Sequence, residues 1–123
     1  MPFAMISIKR AYDPPSASDG TRVLVDGLWP RGISKQNLKL DMWLKDVAPS
    51  ATLRKWFSHD TERWAEFQRR YIDELKHNTA AWKPIADAAR GHHVTLVFGS
   101  KDLEHNNAVV LQKFLNTHGK VTR

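Results

Sequence analysis

Three short segments of the chain carry residue types that bind ligands or move protons. They are Lys9-Arg10, the stretch from Asp26 through Trp29-Pro30-Arg31-Gly32, and Ser100-Lys101-Asp102 followed by His105 and Asn106. Each segment follows a short apolar run that is typical of a β-strand. Ligands of open parallel sheets bind at the carboxyl ends of the strands, where loops converge. We therefore expect the three segments to form one pocket with cations, carboxylates, a histidine and an aromatic wall.

The charges in this pocket indicate an anionic small molecule as the ligand. Arg31 lies between Pro30 and Gly32, so its guanidinium can be aimed at a carboxylate or a phosphate. The segment that begins at Ser100 lies between a strand and a helix N-terminus, where unsatisfied N–H groups favour anions. An alternative role for Arg31 is stacking on Trp29 or capping of backbone carbonyls. The predicted ligand-binding residues are Arg10, Trp29, Arg31, Gly32, Ser100, Lys101 and Asn106.

Proton transfer is the catalytic role that these residue types favour. His105 is a candidate general acid or base because an imidazole titrates near neutral pH, and Asp26 or Asp102 is a candidate to orient its second ring nitrogen. An alternative is that His105 and Asn106 only cap the helix that follows. His59 is a further candidate in a loop. The sequence leaves open whether the protein is an enzyme or a binding protein.

Cofactor and metal chemistry receive little support from the motifs. The glycine patterns of Walker and dinucleotide-binding loops are absent, as is the His-Glu-x-x-His pattern of zinc helices. The chain has no cysteine, which excludes thiolate catalysis, iron–sulfur clusters and disulfide frameworks. We predict no metal site, and the sequence does not identify a cofactor.

The chain has 123 residues and a net charge of +6. Its basic excess is spread evenly along the sequence rather than gathered in a tail, which favours a solvated surface over a phosphate-binding stripe. Nucleic-acid binding without catalysis remains the alternative function, with Trp29 and nearby cations as a stacking platform. The sequence shows neither a signal peptide nor an apolar run long enough to span a membrane. We expect one domain over 1–123, located in the cytoplasm without membrane contact.

The apolar patterns predict alternating strands and helices. Strands are predicted over 6–10, 22–26 and 94–98, and helices over 50–57, 61–76, 79–90 and 104–116. The segment 38–46 fits a strand or a helix, and we interpret it as a strand. This order predicts a small three-layer α/β domain with a mainly parallel sheet and helices packed on it. Neither the strand order nor the oligomeric state follows from the sequence.

Several of these segments also carry a family resemblance. They include Ile8-Lys9-Arg10-Ala11-Tyr12-Asp13-Pro14, Trp29-Pro30-Arg31-Gly32, Leu53-Arg54-Lys55-Trp56-Phe57 and Glu104-His105-Asn106. Together they resemble the YeaO-like proteins of the domain-of-unknown-function family 488, from Ile6 to about Leu115. Because that family is uncharacterised, the resemblance implies little about function.

Overall fold

Four parallel strands form the sheet of the protein. The computed structural model describes residues 6–118; the residues 1–5, where the sequence shows no signal-peptide pattern, and 119–123 lie outside the described range. The strands are β1 (Ile6–Arg10), β2 (Thr21–Leu24), β3 (Met42–Trp43) and β4 (Val94–Phe98), in the order β1-β4-β2-β3. All neighbouring pairs are parallel. The carboxyl ends of β1, β4 and β2 therefore lie side by side.

Five α-helices within the described range accompany the sheet. They are α1 (Lys35–Leu38), α2 (Ala51–Phe57), α3 (Trp64–Lys76), α4 (Thr79–Ala88) and α5 (Asn107–His118). The side chain of Ser50 accepts the Leu53 N–H and so caps α2, as its sequence position predicts. Asp60 caps the short 3-10 turn that leads into α3. None of these helices combines the length and the apolar character that crossing a membrane requires.

The two faces of the sheet are covered unequally. Because side chains alternate along a strand, Val23 and Leu96 face a large core formed with α2 to α5, while Leu24 and Val97 face a small one. The small core is closed by α1 and by loop residues such as Ile33. The structure confirms the predicted α/β class with helices on a parallel sheet, and one of its outer layers is thin.

The segment 38–46 forms much less strand than predicted. Only Met42 and Trp43 pair with β2, and Leu38 belongs to the end of α1. Lys39 adopts a left-handed backbone with φ 51°, which ends the helix and redirects the chain. The apolar residues at alternate positions serve both cores, because Leu38 packs in the small core and Met42 packs against the large one. The alternation of apolar residues in this segment therefore arises from two elements, α1 and β3, and not from one strand.

A buried charge cluster of Lys9, Asp19 and Arg22 lies beside the small core. Asp19 accepts from Lys9 Nζ at 3.0 Å and from Arg22 Nη1 at 2.7 Å, and the residues Asp19 and Arg22 are only 6% and 4% exposed. The Arg22 guanidinium also donates to the Leu38 carbonyl. Burial raises the pKa of Asp19, but hydrogen bonds from Lys9, the Ser16 backbone and Arg22 outweigh it and hold that pKa below its usual value. Lys9, expected at the pocket, belongs instead to this cluster.

Candidate functional site

A cleft of about 640 Å³ opens at the carboxyl ends of the strands. We call it the carboxyl-edge cleft. The loops after β1, β2 and β4 contribute Tyr12, the segment 26–31 and the residues around Ser100 and His105. The end of α2 and the residues after it contribute a fourth side. Two of the three predicted segments therefore converge on one cavity, where Tyr12 takes the place of Lys9 and Arg10 after β1. A helix that the sequence did not assign to the site joins them.

Seven of the predicted site residues line this cleft: Asp26, Trp29, Arg31, His59, Ser100, His105 and Asn106. Arg10 and Asp102 do not line it but bond to residues that do. Gly32 and Lys101 are exposed outside the lining. Gly32 has a left-handed φ of 79°, and a side chain at this position would meet no atoms within 4 Å of its Cβ, so the role of the glycine is to turn the chain after Arg31.

Among the described residues, Asp26 is the one acidic side chain that lines the cleft. Its Oδ2 accepts the Gly99 N–H at 2.8 Å, which ties the loop after β2 to the end of β4. Burial raises the pKa of Asp26, and hydrogen bonds from Gly99 and Asn107 and the charge of Arg54 oppose that rise. Asp26 does not contact the ring of His105, so it is not the group that orients the imidazole.

Asp102 orients His105 instead. Its carboxylate lies 3.0 Å from His105 Nδ1, and it also accepts the backbone N–H groups of Glu104 and His105. Those two backbone bonds, with the imidazole contact adding to them, lower the pKa of Asp102. Trp64 meets the imidazole edge-on at 5.1 Å between ring centroids. Within residues 6–118 the second ring nitrogen, Nε2, has no hydrogen-bond partner, so it remains available to a ligand.

The first turn of α5 uses Asn106 for its own capping. Asn106 Oδ1 accepts the Val109 N–H, and its amide nitrogen donates to the Asp102 carbonyl. Helix α5 consequently begins at Asn107, three residues later than the predicted start at Glu104. The residue is 4% exposed, and both polar ends of its side chain are bonded. This geometry favours the capping alternative for Asn106 over ligand binding.

Three cations of the cleft form no salt bridge in the described part of the chain, although the charge of Arg54 acts on Asp26. They are Arg31, Arg54 and Lys55, and their side chains make neither a salt bridge nor a hydrogen bond there. The arginines of α3 differ, because Arg69 and Arg70 both pair with Glu66. Three unpaired cations against one carboxylate give the cleft a positive potential, which attracts anions.

A series of contacts fixes the rim of the cleft. Arg10 Nε donates to the Ser100 carbonyl at 2.9 Å, and its guanidinium lies 4.9 Å from the centre of the Tyr12 ring. The Tyr12 hydroxyl in turn donates to the Arg31 carbonyl at 2.9 Å. Arg10, predicted as a ligand contact, thus connects three loops. In this arrangement it positions Tyr12 and Arg31 and does not line the cleft.

Two contacts also fix the ring of Trp29. Its indole N–H donates to the Ile33 carbonyl at 2.7 Å, and its ring packs edge-on against Trp43 at 5.3 Å. The bonded nitrogen fixes the plane of the ring, so Trp29 forms an ordered part of the cleft wall. Within the described residues the Arg31 guanidinium does not stack on the Trp29 ring, which was the alternative role predicted for Arg31.

Sequence reasoning did not predict the contribution of α2. Arg54 and Lys55 line the cleft, and Ser58 and His59 follow with left-handed φ angles of 44° and 58°. Two successive non-glycine residues in this region store strain, which tends to concentrate at functional sites. A signal was present: a seven-residue helix spans about 10 Å, so a basic pair on a short helix that follows a strand stays close to the carboxyl edge.

Comparison with known proteins identifies the family. The model of DUF488-N3i, described as the inactive DUF488-N3 subclade, matches residues 5–122. The chain belongs to the DUF488 family. It is 43% identical over 112 residues to the uncharacterized protein YeaO of Escherichia coli K12, covering 91% of this chain and 97% of YeaO. It is 40% identical over 111 residues to the uncharacterized proteins Rv3073c of Mycobacterium tuberculosis and Mb3100c of Mycobacterium bovis, covering 90% of this chain and 93% of each.

These findings confirm the family resemblance seen in the sequence. No solved structure matches the chain significantly. Within residues 6–118 no group of three or more histidine, aspartate or glutamate side chains is placed to hold a metal ion. The Ser100 hydroxyl is engaged with the backbone of Asp102 rather than with a histidine. Within the described residues, the cleft of this DUF488 chain thus has no hydroxyl paired with a histidine as a nucleophile would be.

Proposed function

We propose that this DUF488 protein binds a small anionic molecule in the carboxyl-edge cleft and does not transform it. The observation that carries the proposal is the set of three cations, Arg31, Arg54 and Lys55, which line the cleft and form no salt bridge in the described chain. Guanidinium groups bind carboxylates and phosphates through paired, charge-assisted hydrogen bonds. The available Nε2 of His105 adds a further donor or acceptor to the same cavity.

Two features support binding without chemistry. The family model that matches this chain carries the description of an inactive subclade. In addition, the Ser100 hydroxyl has no bond to His105, whereas nucleophilic catalysis requires a nucleophile within hydrogen-bond reach of its base. His105 and Asp102 then serve as an oriented polar contact for the ligand, not as a proton-transfer pair.

The alternative of nucleic-acid binding has weaker support in the surface charges. Phosphate tracking needs a row of cations free to meet successive phosphates. On α3, Arg69 and Arg70 pair with Glu66, and the Arg70 guanidinium lies over the Trp56 ring at 4.3 Å. The ion pairs with Glu66 neutralise these arginines. The unpaired cations of the cleft fit a compact anion better.

Thermal unfolding with a panel of ligands tests the proposal. Phosphorylated and carboxylate metabolites and one short DNA are added at fixed ionic strength to the wild type, to Arg31→Ala and to Lys113→Ala. Lys113 is an exposed lysine of α5 outside the cleft lining and serves as the matched control. A ligand at about 100 times its Kd adds about 2.7 kcal/mol, which raises the midpoint by several degrees.

The proposal predicts a midpoint shift with at least one metabolite, reduced in Arg31→Ala and retained in Lys113→Ala. A shift with DNA alone would favour the nucleic-acid alternative. An equal shift in all three proteins would place the ligand outside the cleft. No shift with any compound of the panel would count against anion binding.

A further inference from the structure

We infer that the ligand of the carboxyl-edge cleft is a phosphorylated compound with a planar ring, of the class of nucleoside monophosphates, and that its ring stacks on Tyr12. The inference rests on the proposed anion binding and adds a planar ring to the anionic group of the ligand. It follows from the way in which an exposed aromatic side chain is fixed beside the unpaired cations.

Tyr12 is exposed and yet held at two points. The residue is 45% exposed, and it is one of three large hydrophobic residues that the described chain leaves exposed. Its hydroxyl donates to the Arg31 carbonyl, and the Arg10 guanidinium lies 4.9 Å from its ring centre. A surface tyrosine without a partner loses rotamer entropy when it binds a ligand, but this ring is already fixed. It is therefore preorganised as a platform for a flat group.

The fixed ring and the anion-binding groups are joined through the same loop. The hydroxyl of Tyr12 bonds to the backbone of Arg31, whose side chain is one of the unpaired cations. A planar group stacked on Tyr12 would therefore lie next to the loop that carries Arg31, in the cleft that both residues line. Trp29, whose plane is fixed by its bond to the Ile33 carbonyl, adds a second aromatic surface to the cavity.

The size of the cleft also favours a ligand larger than a single anionic group. Its volume of about 640 Å³ lies within the range of about 300–1,000 Å³ of sites for drug-sized molecules. An inorganic phosphate would leave most of that volume, and the aromatic wall, without contact. A nucleoside monophosphate presents a ring and a phosphate on one small molecule and engages both parts of the site.

Calorimetric titration with three probes separates the two halves of the ligand. Adenosine 5′-monophosphate carries ring and phosphate, ribose 5-phosphate carries only the phosphate, and adenosine carries only the ring. Each is titrated into the wild type, Tyr12→Leu and Tyr12→Phe, with the unfolding midpoint recorded to verify folding. Tyr12→Phe is the matched control because it keeps the ring and loses only the hydroxyl.

Stacking of one base on an aromatic side chain predicts at least about fivefold tighter binding of the monophosphate than of ribose 5-phosphate in the wild type. That ratio should persist in Tyr12→Phe and approach one in Tyr12→Leu. Equal binding of the two phosphates in the wild type would overturn the inference and leave the proposed anion binding intact. A preference that survives in folded Tyr12→Leu would also overturn it. If neither phosphate binds, the inference fails, and the metabolite panel decides separately whether another anion occupies the cleft.

Discussion

The buried charge cluster and the carboxyl-edge cleft use cations in opposite ways. In the cluster, the Asp19 carboxylate forms salt bridges with both Lys9 and Arg22. The other nitrogens of the Arg22 guanidinium donate to backbone carbonyls. In the cleft, Arg31 and Arg54 form no salt bridge within the described residues, and Asp26 accepts a hydrogen bond from the Gly99 backbone. Charges that are satisfied inside the chain hold its elements together. Charges that the fold leaves unsatisfied at the strand ends are available to a ligand.

This contrast separates stability from binding at the level of single residues. Removing one member of a buried, hydrogen-bonded charge group leaves the others without compensation, which is strongly destabilising. Removing an exposed, unpaired cation changes stability little. The predictions that follow test this division, from the largest expected effect to the smallest.

Asp19→Ala is expected to lower the free energy of unfolding by about 3 kcal/mol, because it leaves the nearly buried Arg22 without its carboxylate. The measurement is chemical denaturation of the variant against the wild type. Asp13→Ala is the control, since Asp13 is an exposed aspartate close in sequence, and it should change the free energy by less than about 0.5 kcal/mol. A similar small change for Asp19→Ala would show that the cluster does not hold the fold.

The same cluster predicts a pH dependence of stability. The pKa of Asp19 is lowered on folding from the reference value of 3.8. Its contribution is therefore complete above pH 3.8 and is lost as the pH falls below that value through the folded-state pKa. The difference in unfolding free energy between wild type and Asp19→Ala should narrow over that acidic range. A difference that stays constant there would contradict the lowered pKa.

Arg54→Gln is expected to weaken binding of ribose 5-phosphate about tenfold, because one charge-assisted contact is worth about 1.5–3 kcal/mol. Its free energy of unfolding should stay within about 0.5 kcal/mol of the wild type. Arg69→Gln is the matched control, because Arg69 is exposed on α3 and pairs with Glu66. Isothermal titration of the three proteins measures the effect. Equal affinities for Arg54→Gln and the controls would remove Arg54 from the site.

Asp26→Asn is expected to tighten binding of inorganic phosphate about fivefold, since about 1 kcal/mol of repulsion between the carboxylate and the anion is removed. An amide oxygen can still accept the Gly99 N–H. Because burial raises the pKa of Asp26 above 3.8, wild-type affinity should rise as the pH falls through that raised value, and the variant should lack this rise. Titration calorimetry across that range measures both. Weaker phosphate binding by Asp26→Asn would contradict the assigned repulsion.

Tyr12→Phe is expected to weaken binding of ribose 5-phosphate about twofold, because it removes the hydrogen bond, worth about 0.5 kcal/mol at an exposed site, that holds the Arg31 loop. Ribose 5-phosphate is the probe because it makes no ring contact of its own. Leu28→Ala, at an exposed position of the lining without a polar contact, provides the comparison. A loss in Leu28→Ala as large as in Tyr12→Phe would show that the hydroxyl has no special part.

The sequence predicted the elements of the fold better than their boundaries. Regular apolar spacing located β4 and α3, because both bury a continuous face in the large core. Helix α5 begins later than predicted because the side chains of Asp102 and Asn106 accept backbone N–H groups around its start. The short β3 was overestimated because Leu38 and Met42 belong to different elements.

The sequence also predicted that the loops of the candidate site lie together, because ligands bind at the carboxyl ends of parallel strands. It did not separate cations that line the cleft from cations that hold other groups. Lys9 and Arg31 look alike in the sequence, and only the positions of Asp19 and Arg22 show that Lys9 is engaged. Arg54 was missed because the basic pair on the short α2 limits its distance from the carboxyl edge but does not show which way the helix crosses the sheet.

The most direct test of this division is one set of unfolding curves with and without ribose 5-phosphate, recorded for the wild type, Asp19→Ala and Arg54→Gln. The account predicts that Asp19→Ala unfolds at a midpoint roughly 10 °C lower yet is stabilised by the ligand as much as the wild type. It predicts that Arg54→Gln unfolds like the wild type without ligand and, with ligand at about 100 times the wild-type Kd, loses about half of the stabilisation. Full stabilisation of Arg54→Gln, or its loss in Asp19→Ala, would contradict the separation of the two groups of charges.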